Sequence, residues 1–187
     1  MISKLNDNYV KLYNISKTLS IDESMILFKG LSSLKQYNPK KPIKRGYKLW
    51  MRADMDGYIT KFDVYQGKSG HKDKEVAYAG IGLGEKVIVD LTKYLFGKNH
   101  QVYFDNYFSA VPLVEYLKAN CVQACGTIRH DRKYIPTNLK SEKSMERGQH
   151  DYRVLKNIAS LIWCLIFDRT LVKKRLRFWQ PSEHDFS

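Results

Sequence analysis

Apolar positions along this chain recur with two periods, close to two residues in some stretches and close to 3.6 in others. From Leu19 to Lys29 they fall at 19, 21 and 25–28, which predicts a strand carrying Asp22 and Glu23 near its start. Tyr47–Ala53 alternates after its first residues. Met55-Asp56-Gly57 is a hairpin turn signal, and Tyr58–Tyr65 is the return strand. Gln66–Lys74 reads as a polar, glycine-containing loop. Residues 87, 88, 91, 94 and 95 then share one face of a helix predicted over Glu85–Leu95, which Gly97 ends. Gly82-Leu83-Gly84 before it reads as a turn, because no third glycine follows to complete a dinucleotide fingerprint. A strand over 101–105, a helix over 109–120 with Pro112 in its first turn, and a strand over 122–128 complete the regular elements. Residues 1–19 show no clear period beyond a helical stretch near Leu5–Tyr13, and Pro136–Gly148 reads as a loop. The order of strand, hairpin, helix, strand, helix, strand predicts an α/β layered domain with a mixed sheet.

Composition adds a partner class. The chain has 187 residues, enough for one domain with a real core. Its 32 Lys and Arg against 19 Asp and Glu leave a net charge of +13, which suits an acidic partner such as nucleic acid. That charge is clustered. No acid occurs from Lys29 to Arg52, a window that holds Lys29, Lys35, Lys40, Lys41, Lys44, Arg45, Lys48 and Arg52. Pro39 and Pro42 keep its middle out of regular structure, and Tyr37 lies within it. Such a loop is a phosphate-contacting surface, a solvated charged loop or a nuclear-import signal. Arg129, Arg132 and Lys133 form a second basic cluster. The three cysteines, Cys121, Cys125 and Cys164, are too few for a disulfide scaffold and lack a second Cys/His pair at zinc-finger spacing. The polar N-terminus is unlike a signal peptide, and the longest apolar run, Ile158–Phe167, is too short to span a bilayer. The expectation is an intracellular, soluble protein.

Asp105 ends a short apolar strand and is followed at once by Asn106 and a helix. Open α/β sheets present that edge to ligands, so an acid there is placed for chemistry. Asp22, on the first strand, is its strongest partner, since a mixed sheet can bring both to one edge. Two close carboxylates repel unless a cation separates them. Mg²⁺ suits the gap, because it takes few protein carboxylates and leaves room for phosphate oxygens. Such a centre points to phosphodiester cleavage or strand transfer.

Several stretches resemble the piggyBac transposase family. They are 19–25, 28–37 and 39–46, then Gly82-Leu83-Gly84, Tyr103-Phe104-Asp105-Asn106-Tyr107-Phe108 and Gly126-Thr127-Ile128-Arg129, in collinear order over about 1–157. The resemblance implies a DDE-type transposase core of ribonuclease-H-like fold, which cuts transposon ends and joins them to target DNA. It makes Asp22 and Asp105 the first two members of an acidic triad holding Mg²⁺ or Mn²⁺. DNA would lie on Lys29, Lys35, Lys40, Lys41, Lys44, Arg45, Lys48, Arg129, Arg132 and Lys133. The family's third Asp, in a Gly-Gly-Val-Asp-like stretch, has no counterpart here. Asp151, Asp168 and Asp185 are the late acids, and His100, His130 and His150 the lone histidines. The tail after about 158 reads as a shifted frame, an alternative exon or a decayed copy. The expected organisation is a lead-in over 1–18, a partial, C-terminally truncated transposase domain over 19–157 and a divergent basic tail over 158–187. The expected protein is nuclear, binds DNA and no membrane, and is catalytically silent as this fragment. A homodimer is compatible with this reading. The competing expectation is a non-enzymatic DNA-binding or protein-interaction module.

Overall fold

The structure, a computed structural model, describes residues 1–67, 82–129, 131–136, 138, 151, 153 and 176–179. Most of the 66–74 and 136–148 loops therefore lies outside the described residues, as do His130, His150, Cys164, Asp168, Asp185 and the 158–167 apolar run. The chain divides into two compact units, Met1–Tyr94 and Leu95–Ser187.

The first unit is an antiparallel sheet bearing helices. Strand β1 (Thr18–Leu27) pairs along its length with β3 (Arg45–Asp54), in a register that sets Asp22 opposite Met51 and Glu23 opposite Trp50. On its other edge β3 pairs with β4 (Ile59–Val64) and with the two-residue β2 (Gln36–Tyr37). In β1 the phase of burial runs Leu19, Ile21, then Met25, so Glu23 falls on the inward face and Asp22 on the outward one. The β3–β4 turn is closed by Gly57, at φ +81°, whose N–H donates to the Asp54 carbonyl. Asp54 is buried and accepts from the amides of Ser16 (2.7 Å) and Met55 (2.5 Å). These bonds outweigh the burial that would raise its pKa, and they hold the carboxyl below its ordinary value.

Helix α1 (Ile2–Leu12) buries none of its own residues. It is held instead by polar and aromatic contacts to β4. Asn6 donates to the Phe62 carbonyl and accepts from its amide, both at 2.9 Å. Tyr9 meets the Phe62 ring at 6.2 Å, and just past the helix Tyr13 stacks on Tyr58 at 4.1 Å. Helix α2 (Leu83–Thr92) starts two residues earlier than its apolar pattern indicates, because Gly82 is its N-cap and Gly84 is buried inside it. A 3₁₀ turn, Lys93–Leu95, takes the final positions of the expected helix. The orphan carbonyls at the α2 C-terminus are met by cations from the hairpin. Arg52 donates to Leu91 O at 2.6 Å and Lys61 to Asp90 O at 2.6 Å. Arg52 is therefore no loop cation. It is fully buried, with Nε on Thr60 Oγ1 at 2.7 Å, and burial pushes its guanidinium down to about 10.

The second unit carries a mixed sheet. β5 (Gln101–Phe104) runs parallel to β6 (Gln123–Ile128), joined by α3 (Val111–Ala119), with Pro112 in its first turn. β6 continues antiparallel to β7 (Leu176–Trp179), which belongs to the tail that the motifs do not cover. Leu113, Leu117, Val102, Val122 and Ala124 are buried here. The tight α3–β6 connection puts Cys121 at φ +56°, exposed, while Cys125 lies on β6. No helix among the described residues is long and apolar enough to cross a membrane.

Candidate functional site

Asp22 belongs to the first unit and Asp105 to the second. Both are exposed acids held by the chain beside them. Asp22 is on the outward face of β1, where its Oδ1 accepts from the Glu23 amide at 2.7 Å. Its Oδ2 lies 4.0 Å from Lys41 Nζ, with 67% of the side chain exposed. Asp105 follows β5 and folds the next residues over itself. Its Oδ1 accepts from the Tyr107 amide at 2.9 Å, and its carbonyl from the Phe108 amide and the buried Ser109 hydroxyl. The sequence favours this turn because Asp followed by Asn can bond its own backbone two residues on. Each exposed carboxylate thus has one oxygen fixed by a backbone amide.

The residues around Asp22 form a polar cluster centred on Glu23, which the sequence reading passed over. Glu23 Oε2 pairs with Lys48 Nζ at 2.5 Å, and Oε1 accepts from Asn38 Nδ2 at 3.3 Å and faces Lys41 Nζ at 3.7 Å. Lys41 also donates to the Glu23 carbonyl at 3.2 Å. Partial burial raises the Glu23 pKa, but Lys48 first and Lys41 and Asn38 after it pull it below its ordinary value. The signal was available in the strand period, since an acid in phase with Leu19, Ile21 and Met25 needs a partner.

The expected phosphate contacts separate into several groups. Lys29, Lys40, Lys44 and Arg45 are exposed, and Arg45 lies over the Tyr37 ring at 5.2 Å. Lys35 turns back to the Gly30 carbonyl at 2.8 Å. Lys48 is engaged by Glu23 and sits 4.1 Å over the Trp50 ring, with only 17% of its side chain exposed. The loop is also tighter than its prolines suggest, because Asn38 N donates to Lys44 O and Lys41 N to Asn38 O. In the second unit Lys133 is exposed and Arg129 pairs with Asp131 at 3.4 Å. Arg132 donates to the carbonyls of Tyr107 (3.1 Å) and Asn106 (3.4 Å), so it braces the Asp105 turn.

Hard carboxylate oxygens on the exposed Asp22 and Asp105 are the donor type that Mg²⁺ or Mn²⁺ takes. Among the described residues no group of three or more His, Cys, Asp or Glu is placed to hold a metal ion. Asp151, the one late acid described, pairs with Arg153 at 2.5 Å.

A family model described as Transposase IS4 matches residues 1–173, past the point near 157 where the motif likeness fades. Human PiggyBac transposable element-derived protein 3 is 37% identical over 158 residues, covering 82% of this chain and 26% of its own length. Human PiggyBac transposable element-derived protein 2 is 30% identical over 174 residues, 92% of this chain and 29% of its own length. The chain thus spans little more than a quarter of these relatives. Among solved structures, a piggyBac transposase synaptic complex with hairpin DNA, seen by cryo-EM, matches with a TM-score of 0.79 at 23% identity. That match covers 97% of this chain and 36% of the other, and the shared fold is a ribonuclease-H-like α/β core. Sequence and fold together place this chain in the DDE transposase family, among its piggyBac-derived members.

Proposed function

We propose that this chain is a DNA-binding part of a transposase core, in which Asp22 and Asp105 are the first two ligands of a divalent-metal centre. The observation that carries this reading is the shared form of the two acids. Each is exposed, with one oxygen fixed by a backbone amide. The chemistry a divalent ion supplies in such a centre is stabilisation of charge on the attacking and leaving oxygens of a phosphodiester. The chain's own contribution is to hold those carboxylates still. The β1 pairing does so for Asp22, and the turn braced by Arg132 does so for Asp105.

DNA phosphates would meet Lys29, Lys40, Lys44, Arg45 and Lys133, whose side chains are exposed. Lys48 and Arg132 act inside the protein, and Lys35, Lys41 and Arg129 contact DNA only by leaving their present partners. Support for DNA as partner comes from the solved neighbour, which is a complex with hairpin DNA. A nuclear location and assembly with a second copy follow as expectations of the same reading. The tail belongs with the transposase domain, since β7 continues the β6 ladder and the family match runs to 173.

The 187-residue chain alone is proposed to be without cleavage activity, because its sequence contains no Gly-Gly-Val-Asp-like stretch to bring a third acid. The test is nicking of supercoiled DNA in Mg²⁺ or Mn²⁺ by the purified chain, beside Asp22→Asn and Asp105→Asn. No nicking is expected. Robust nicking lost in both variants overturns the proposed inactivity. DNA affinity is expected to fall steeply with salt, and a flat dependence overturns the phosphate-contact reading.

A further inference from the structure

Three charged groups, Glu23, Lys41 and Lys48, meet beside Asp22, and their contacts are unequal. Glu23 is already neutralised by Lys48 at 2.5 Å. Lys41, at 3.7 Å from the same carboxylate, therefore brings a second positive charge that Glu23 does not need. The charge left to balance it is Asp22, 4.0 Å away at the outer limit of an ion pair. A pair at that distance, with its carboxylate largely exposed, is weak, so it is readily exchanged. Lys41 is nevertheless held in place. Its ammonium donates to the Glu23 carbonyl, and its turn is tied to Glu23 through Asn38.

We infer that Lys41 is a placeholder cation for Asp22, which yields the carboxylate to a divalent ion and then takes a DNA phosphate. The inference rests on the proposed function, in which Asp22 is a metal ligand. An ammonium so close to the carboxylate opposes entry of a second cation until an anion arrives to accept it. The lysine therefore makes metal and DNA each favour the other's binding, and the two affinities must shift by the same factor. Its anchor on the Glu23 carbonyl keeps the ammonium near enough to return when the metal leaves.

Mn²⁺ binding to the full chain tests this, read as loss of the free-ion EPR signal at about 0.15 M salt, with and without a short DNA duplex. Without DNA, Lys41→Gln is expected to bind Mn²⁺ about fivefold more tightly than wild type, the scale of a screened like-charge repulsion at this separation. Lys41→Arg keeps the charge and is expected to match wild type. Duplex DNA is expected to tighten Mn²⁺ binding in wild type by a similar factor and by less than twofold in Lys41→Gln. Equal affinities in wild type and Lys41→Gln, with binding still lost in Asp22→Asn, overturn the placeholder and leave the metal reading standing. Mn²⁺ binding that survives Asp22→Asn unchanged overturns both. A DNA-affinity arm at fixed, saturating Mn²⁺ reads the phosphate step. The salt slope of DNA affinity is expected to fall by about one in Lys41→Gln, and an unchanged slope overturns that step.

Discussion

Arg52 offers a stringent test of the fold, because its burial sets two large terms against each other. The side chain is fully buried, and no carboxylate pairs with it among the described residues. Burial holds its guanidinium down to about 10, which corresponds to about 3 kcal/mol against the charged form. Two charge-assisted hydrogen bonds, to Thr60 Oγ1 and Leu91 O, return about 1.5–3 kcal/mol each. The second falls on the negative end of α2, where a cation is further favoured. Arg52→Met removes the burial cost and both bonds while keeping most of the volume, so its net loss should be about 3 kcal/mol or less. Arg52→Ala loses the same bonds and also leaves a cavity, so it should cost at least about 2 kcal/mol more. Urea unfolding followed by fluorescence of the buried Trp50 reads both. The reasoning is refuted if Met is as damaging as Ala, since the charge itself would then be what the fold requires.

Arg132→Ala should loosen the Asp105 turn. Hydrogen exchange at the Tyr107 and Phe108 amides is expected to quicken about tenfold or more, for loss of one to two charge-assisted bonds, and unchanged exchange would deny the brace. Gly46→Ala should cost about 3 kcal/mol or more in unfolding experiments, because its Cβ would lie 1.8 Å from the Ile26 carbonyl oxygen across the β1–β3 ladder. A near-neutral Gly46→Ala would mean the ladder end is not packed as described. Asp54 has a lowered folded pKa, so its contribution is present above the ordinary carboxylate range and is lost as acid protonates it. The fall in urea midpoint between pH 5 and 3 should therefore be smaller in Asp54→Asn than in wild type, and an equal fall would remove Asp54 from the acid response.

The amino-acid pattern alone carried most of the element order and singled out Asp22 and Asp105 as candidates, for reasons that are local. Alternation of apolar residues marks β1, β3 and β4, the Asp56-Gly57 turn is chemically explicit, and Asp105-Asn106 builds its turn with its own side chain. Family motifs are also local strings, so Asp22 and Asp105 stood out without any knowledge of neighbours. Tertiary structure alone decided what the basic residues do. Charge along the chain does not say which cations find a partner at long range. Register across β1 and β3 places Lys48 diagonally from Glu23, and folding of the 38–44 turn delivers Lys41 to Asp22. Packing of α2 on the hairpin turns Arg52 from an apparent loop cation into a buried helix cap, and Arg132 is drawn onto the carbonyls of the Asp105 turn. The pairing of β7 with β6 was equally illegible, since a short strand gains its definition only from the ladder it joins.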